Sequence, residues 1–317
     1  MTPIKYSGQI IRQDGLYTGM SMDAYHGQPC AGPSISSSGL RTIWAQSPAH
    51  YYLTSSLNPD REEQAQKKHF SLGRAAHHLL LQGQDGFAQE YAVRPDKWAD
   101  FRTKDAREWR DEMIARGMTV LTDEDLYNIS GMAKSLARNP LVRHGILDGD
   151  VERSLIFKDP ETGVWLKSRP DCIPNASGDV ADLKTTNSVA TEALQRTLED
   201  YDYAMQGALA AAAFDKIMPM ALESFTLVFV EKTAPWCVRV VTLTQEDMLR
   251  GAMQVAAATR IFAGCVQADE WPGPGGAQQD AEFLPMREFK RRVIDERLEV
   301  LKSLPPETAP IREMELS

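Results

Sequence analysis

The chain has 317 residues, 43% of them hydrophobic and 25% charged, with a formal net charge of −9. That length supports one large domain or two modest ones with a real core, and no apolar run reaches the ~20 residues of a membrane-spanning helix. The acidic surplus argues against nucleic-acid binding over the whole surface, yet leaves room for a local basic groove. The opening stretch, MTPIKYSGQIIRQDG, lacks the basic-then-apolar build of a secretory signal, so the cytoplasm is the expected address. Cys30, Cys172, Cys237 and Cys265 form no CxxC pair. Their spacing argues against a zinc ribbon or an iron–sulfur cluster and reads as four reduced, buried small hydrophobes.

In chain order, GPSISSSGLRTIWAQSPAHYYLTSS predicts a serine-capped helix from near Ser36, with Leu40, Ile43 and Trp44 at helical spacing and Pro48 near its end or at a kink. HFSLGRAAHHLLLQG predicts a second helix closed by Gly83, and the charge-rich stretch over 93–117 predicts loose packing or an exposed helix. TDEDLYNISGMAKSLARNP reads as a capped helix that stops before Pro140. The pattern then changes: VERSLIFKD and VWLKSRPDCIP are strand-like and joined by the turn signal PETG, and GDVADLKTT is a third strand. LEDYDYAMQGALAAAAFDKIM is helical, SFTLVFVEK and CVRVVTLT form a second strand pair, and a helix runs from Gln245 to about Cys265. A loop, WPGPGGAQQDAE, precedes a charged terminal helix. Helices, then strands interleaved with a helix, then helices predict an α/β domain with a central mixed sheet flanked by helices. The expected limits are one domain over 1–290, helical over 1–145 with a sheet core over 146–270, and a C-terminal helix and tail over 287–317.

Asp182 and Lys184 are two apart in a strand and share one face. If the strand end carrying Asp171 lies beside them, two carboxylates and an ammonium converge. Carboxylates that close repel unless a divalent cation separates them, and hard oxygen ligands suit Mg²⁺ or Mn²⁺. The D-x₁₀-D-x-K pattern is the signature of metal-dependent phosphodiester cleavage; a solvated hairpin with an incidental DxK is the plainer alternative. His77 lies four residues after Gly73, on the same helix face, and could complete a metal site, although an isolated histidine is more often structural. Gln206 on the alanine-rich helix could hold a phosphate or a base edge, or simply lie on the helix surface. Hydroxyls of Ser36 and Ser38, helix-start amides and Arg41 would make a pocket for a terminal phosphate; one serine acting as an N-cap is the ordinary reading.

RPDCIP…DVADLKTT, SLGRAAHHLLL, GLYTGMSMDAYHG…ISSSGLRTIWAQSPAHYYL and WPGPGGAQQDAEFLP stand in an order that resembles the PD-(D/E)XK nuclease superfamily, and within it the RecE-type exonucleases (exonuclease VIII). The resemblance covers roughly residues 15–290. It implies a restriction-endonuclease-like core, with Asp171, Asp182 and the Leu183 backbone carbonyl as metal ligands and Lys184 aligning the attacking water. His77 matches the histidine that adds to the metal shell, Gln206 the motif glutamine, and Glu152 the acid that sometimes precedes the hairpin; an exposed strand-start glutamate is the other reading of Glu152. One departure stands out: the family's Q-x₃-Y motif has Ala210 in place of tyrosine, and Tyr203 lies one turn before Gln206 on the same face.

What the resemblance implies is a Mg²⁺-dependent exodeoxyribonuclease on linear double-stranded DNA ends. It would work 5′ to 3′, leave 3′ single strands for strand annealing, form a homo-oligomeric ring and cooperate with a RecT-like annealing protein, with no membrane partner. The alternatives are a structure-specific endonuclease of the same superfamily and a non-catalytic DNA-end-binding scaffold.

Overall fold

The structure is a computed structural model that describes residues 2–61, 72–81, 83–151, 153–174, 177–276, 281 and 283–303. Residues 1–277 form one compact unit and 278–317 a second. The first unit opens with β1 (Ile4–Lys5), β2 (Gly15–Thr18), α1 (Met22–His26) and β3 (Ser34–Ser36). Helices α2 (Ser37–Ala45), α3 (Pro48–Thr54), α4 (Leu72–Leu81) and α5 (Gly83–Glu90) follow, then β4 (Tyr91–Val93), α6 (Lys104–Ala115), β5 (Thr119–Leu121), α7 (Asp123–Arg138) and α8 (Pro140–Arg143). Next come β6 (Gly149–Val151), β7 (Ser154–Lys158), β8 (Trp165–Ser168), β9 (Cys172–Pro174) and β10 (Asp179–Thr186). After α9 (Thr191–Asp200) and α10 (Tyr203–Ile217) the chain forms β11 (Ser224–Glu231), β12 (Val238–Thr242) and α11 (Gln245–Ala268). The second unit contains α12 (Glu288–Ser303).

Among the described residues, hydrogen bonding arranges the strands as two mixed five-stranded sheets, β1-β2-β7-β8-β3 and β12-β11-β10-β9-β6, and a parallel β4–β5 pair. The hairpin across PETG forms as predicted, with β7 antiparallel to β8 and Phe157 opposite Leu166. Its far end crosses into the second sheet. Arg169, Pro170 and Asp171 separate β8 from β9, and β9 pairs antiparallel with β10 through Cys172 opposite Ala181. Proline lacks the N–H a ladder needs, so the strand is interrupted at that point. β10 then runs parallel to β11, with Asp182 opposite Leu227, because α9 and α10 carry the chain back across the sheet.

Strand alternation puts β10 between two layers. Val180 packs with Leu209, Ala213 and Phe229 in the main core, whereas Ala181 and Leu183 pack on the other face with Ala75, Ala76, Ile129 and Met132 from α4 and α7. Asp182 shares the Val180 face and is therefore directed at α10. α10 and α11 approach closely at Gly251, where an added Cβ would sit 2.3 Å from the Ala204 carbonyl oxygen. α7 begins with the predicted capping box: Thr122 accepts from the Asp125 N–H, and the Asp125 carboxylate accepts from the Thr122 N–H.

Three local expectations change. Gly83 opens α5 instead of closing the preceding helix. The single helix expected from LEDYDYAMQ onward breaks into α9 and α10 at Asp202, whose φ of 47° puts it in the left-handed region. Cys237 is exposed, beside the turn into β12, while Cys30, Cys172 and Cys265 are buried. Among the described residues, no helix is long and apolar enough to cross a membrane.

Candidate active site

Asp171 occupies the interruption between β8 and β9, so that on this edge no β9 residue is paired with Leu183. Its Oδ2 accepts the Leu183 N–H at 2.8 Å, standing in for the missing ladder carbonyl. In a strand the N–H and C=O of one residue face the same neighbour, so the Leu183 carbonyl also opens toward Asp171. From α4, His77 Nδ1 lies 3.5 Å from the same Asp171 oxygen. Asp182 is 1% exposed. Its Oδ1 accepts from Gln206 Nε2 at 2.7 Å, and its Oδ2 forms an ion pair with Lys184 Nζ.

Four of the predicted residues, Asp171, Asp182, Lys184 and Gln206, thus meet where β9, β10 and α10 come together, and His77 reaches them from the opposite layer. Glu152 lies outside the described residues. Gln206 points at a carboxylate and leaves its own Oε1 buried without a hydrogen bond. Tyr203, one turn earlier, places its ring 5.2 Å from Lys184 Nζ. Ala210 lies on the same helix, one turn later, and lines an adjoining cavity.

The electrostatics separate the two acids. Burial alone would raise Asp171, but the His77 imidazolium, Lys184 and the Leu183 N–H outweigh it and hold the carboxyl at about 2. Asp182 goes the other way: burial and then the Asp171 charge raise it, against the pull of Lys184 and His77. Burial opposes charge on Lys184 and His77 as well, yet the neighbouring carboxylates win and raise both. Two close acids cannot ionise equally well, and each has recruited a cation from the protein.

The donors suit a hard divalent cation: two carboxylates, a strand carbonyl, an amide oxygen and an imidazole. Gln206 Oε1 is buried without a hydrogen bond, which is costly unless something else binds it, and Asp182 Oδ2 has only the Lys184 ammonium as a partner. Among the described residues no three His, Cys, Asp or Glu side chains form a ready-made metal cage. Mg²⁺ does not require one, since it keeps several waters and is commonly held by one or two carboxylates. The residues present therefore fit such an ion.

A cavity of about 120 Å³ opens beside Gln206, lined among others by Ser36, Ser38, Arg41 and Arg169. Ser36 is the residue before α2, but its hydroxyl makes no cap; it pairs with the Ser38 hydroxyl at 2.9 Å. Ser36 therefore holds the N-cap position without the side-chain bond that the capping reading expected. The Arg41 Nε–H is buried beside the cavity without a hydrogen bond. Arg169, which the sequence reading passed over, donates Nη2 to the Met20 carbonyl at 2.6 Å. Its place beside Pro170 and Asp171 in RPD is the signal that could have found it.

Comparison with known proteins bears on the family and the fold. A family model described as a PDDEXK-like domain of unknown function (DUF3799) matches residues 36–281. A crystal structure of a protein from Eubacterium rectale, described as a candidate exonuclease, superposes with a TM-score of 0.57 at 13% sequence identity. The superposition covers 86% of this chain and 98% of that one. No curated protein matches the sequence.

Proposed function

Because the chain belongs to this PDDEXK-like family, with a nuclease-type α/β fold, we propose that it is a Mg²⁺-dependent exodeoxyribonuclease of the RecE type, acting on the ends of linear duplex DNA. The observation that supports the reading best is the convergence of Asp171, Asp182, Lys184 and Gln206 at one strand interruption, with His77 added from α4. A divalent cation, with Mn²⁺ as the alternative to Mg²⁺, would be held by Asp171, Asp182 and the Leu183 carbonyl, with His77 beside them. Bound there, it would supply charge to the scissile phosphate and lower the pKa of a coordinated water.

The chain's own residues do the rest. Lys184, kept cationic by two carboxylates, orients the attacking water and faces the developing negative charge. Gln206 fixes the rotamer of Asp182 through its amide N–H. His77 holds Asp171 ionised and would have to be neutral to join Asp171 in holding a cation. Ser36, Ser38 and Arg41 bind a substrate phosphate, a terminal 5′-phosphate in this reading, at the amino end of α2. Cleavage then proceeds 5′ to 3′ and leaves 3′ single strands for a RecT-like annealing protein. A homo-oligomeric ring with a basic bore would reconcile a net charge of −9 with DNA binding.

The test is digestion of linear duplex DNA labelled at the 5′ or 3′ end, with a circular duplex alongside, in Mg²⁺ or EDTA. Expected are metal-dependent loss of the 5′ label, sparing of the circle, and a fall of at least about a hundredfold in Lys184→Ala and Asp182→Asn. Cutting of the circle would make the protein an endonuclease of the superfamily. DNA-end binding without cleavage would make it a scaffold and point to Ala210.

A further inference from the structure

We propose that Tyr201 is a stacking platform for a nucleobase of the substrate, so that the site grips nucleic acid by a base as well as by its phosphates. The inference rests on the nuclease reading. Tyr201 and Tyr203 flank the break between α9 and α10, and their rings stack with centroids 5.6 Å apart and planes 14° from parallel. The inner ring, Tyr203, is buried and packs against Lys184 Nζ at 5.2 Å and the Arg41 guanidinium at 5.7 Å. The outer ring, Tyr201, is 58% exposed. A column of two aromatic rings therefore runs from the lysine of the cleavage site to solvent and presents its outer ring there.

The backbone that carries the outer ring is held in place. Arg41 Nη1 donates to the Tyr201 carbonyl at 2.7 Å, across 160 positions of sequence. The intervening Asp202 is left-handed, and its carboxylate accepts from Gln254 Nε2 of α11 at 3.1 Å. A platform fixed in advance loses little freedom when a ligand arrives. Arg41 belongs to both parts, lining the phosphate cavity and anchoring the tyrosine backbone, so a phosphate in the cavity and a base on Tyr201 are reached by neighbouring parts of one strand. Stacking on tyrosine suits any base, since each has a π-face, and this matches an enzyme that moves along DNA without reading it.

Single exposed aromatics are common on protein surfaces, so the experiment separates a platform from an idle side chain. The full-length protein in EDTA binds a linear duplex carrying 2-aminopurine at each of the three terminal positions of either strand in turn. Wild type is expected to change the fluorescence at one of these positions on binding. Tyr201→Ala and Tyr201→Leu should abolish that change and weaken binding roughly 5- to 100-fold, while Tyr201→Phe keeps both. Tyr201→Leu guards against a loss due to a surface hole alone. Equal affinity and an unchanged signal in Tyr201→Ala would overturn the platform and leave the nuclease reading standing, as would weaker binding with the signal intact. A wild-type protein that neither binds nor cuts DNA would overturn both.

Discussion

Lys167 is 1% exposed, and among the described residues no carboxylate pairs with it. Its Nζ donates to the Gly27 carbonyl at 2.8 Å and faces the Tyr25 ring, whose hydroxyl returns a hydrogen bond to the Lys167 carbonyl at 3.0 Å. The pair fastens the α1 region to β8. Burial pushes the ammonium from its ordinary 10.5 down to about 8, with Cys30 opposing. Between those values the unfolded chain holds a proton that the folded one has released, so stability from this group rises with pH across the window and the full burial cost is present below it. Relative to Lys167→Met, wild type should therefore gain up to about 3 kcal/mol between pH 8 and 10.5, readable from urea unfolding at each pH. Legibility was uneven at this scale. Asp171, Asp182 and Lys184 could be read from strand spacing because their chemistry is costly anywhere but a site. Tyr201 could not, because its importance comes from a partner, Arg41, remote in sequence.

Among elements, α10 matters most for the site, since it carries both Gln206 and Tyr203. Its position is set where Gly251 of α11 lets the Ala204 backbone come close. Gly251→Val would place carbon atoms where the Ala204 carbonyl now sits, so one helix must retreat. A loss of about 1–3 kcal/mol is expected, together with a fall in cleavage larger than the fall in folded fraction, because Gln206 moves off Asp182. Circular dichroism melting beside turnover at a temperature where the variant is folded separates the two effects. β10, β11 and the PETG hairpin were visible in the sequence as apolar alternation ended by turn residues. β1, β2 and β3 were not: they have two to four residues each, and β2 is held between β1 and the distant β7, where Gly15 lies opposite Ile156. Short strands owe their form to a distant partner, which no local pattern displays.

For the whole molecule, the three clusters of buried apolar residues among the described residues draw their members from positions 11–266, with Ile4, Tyr6 and Trp271 as their outlying neighbours. None of the described residues beyond 277 belongs to them, and a chain ending at Ala277 should melt within a few degrees of the full-length protein by calorimetry. The class of fold was legible because alternating helix and strand patterns force layers. The division into two sheets was not, since it hangs on the three residues Arg169, Pro170 and Asp171 where one strand changes partners.

That change of partners makes the Leu183 amide unusual among sheet protons. Its shield against solvent exchange is the Asp171 side chain and not a neighbouring strand. Ladder amides open only when part of the sheet unfolds, whereas this one opens whenever a single carboxylate turns away. Deuterium uptake at Leu183 is therefore a clock for the occupancy of the Asp171 oxygen, independent of the stability of the fold around it.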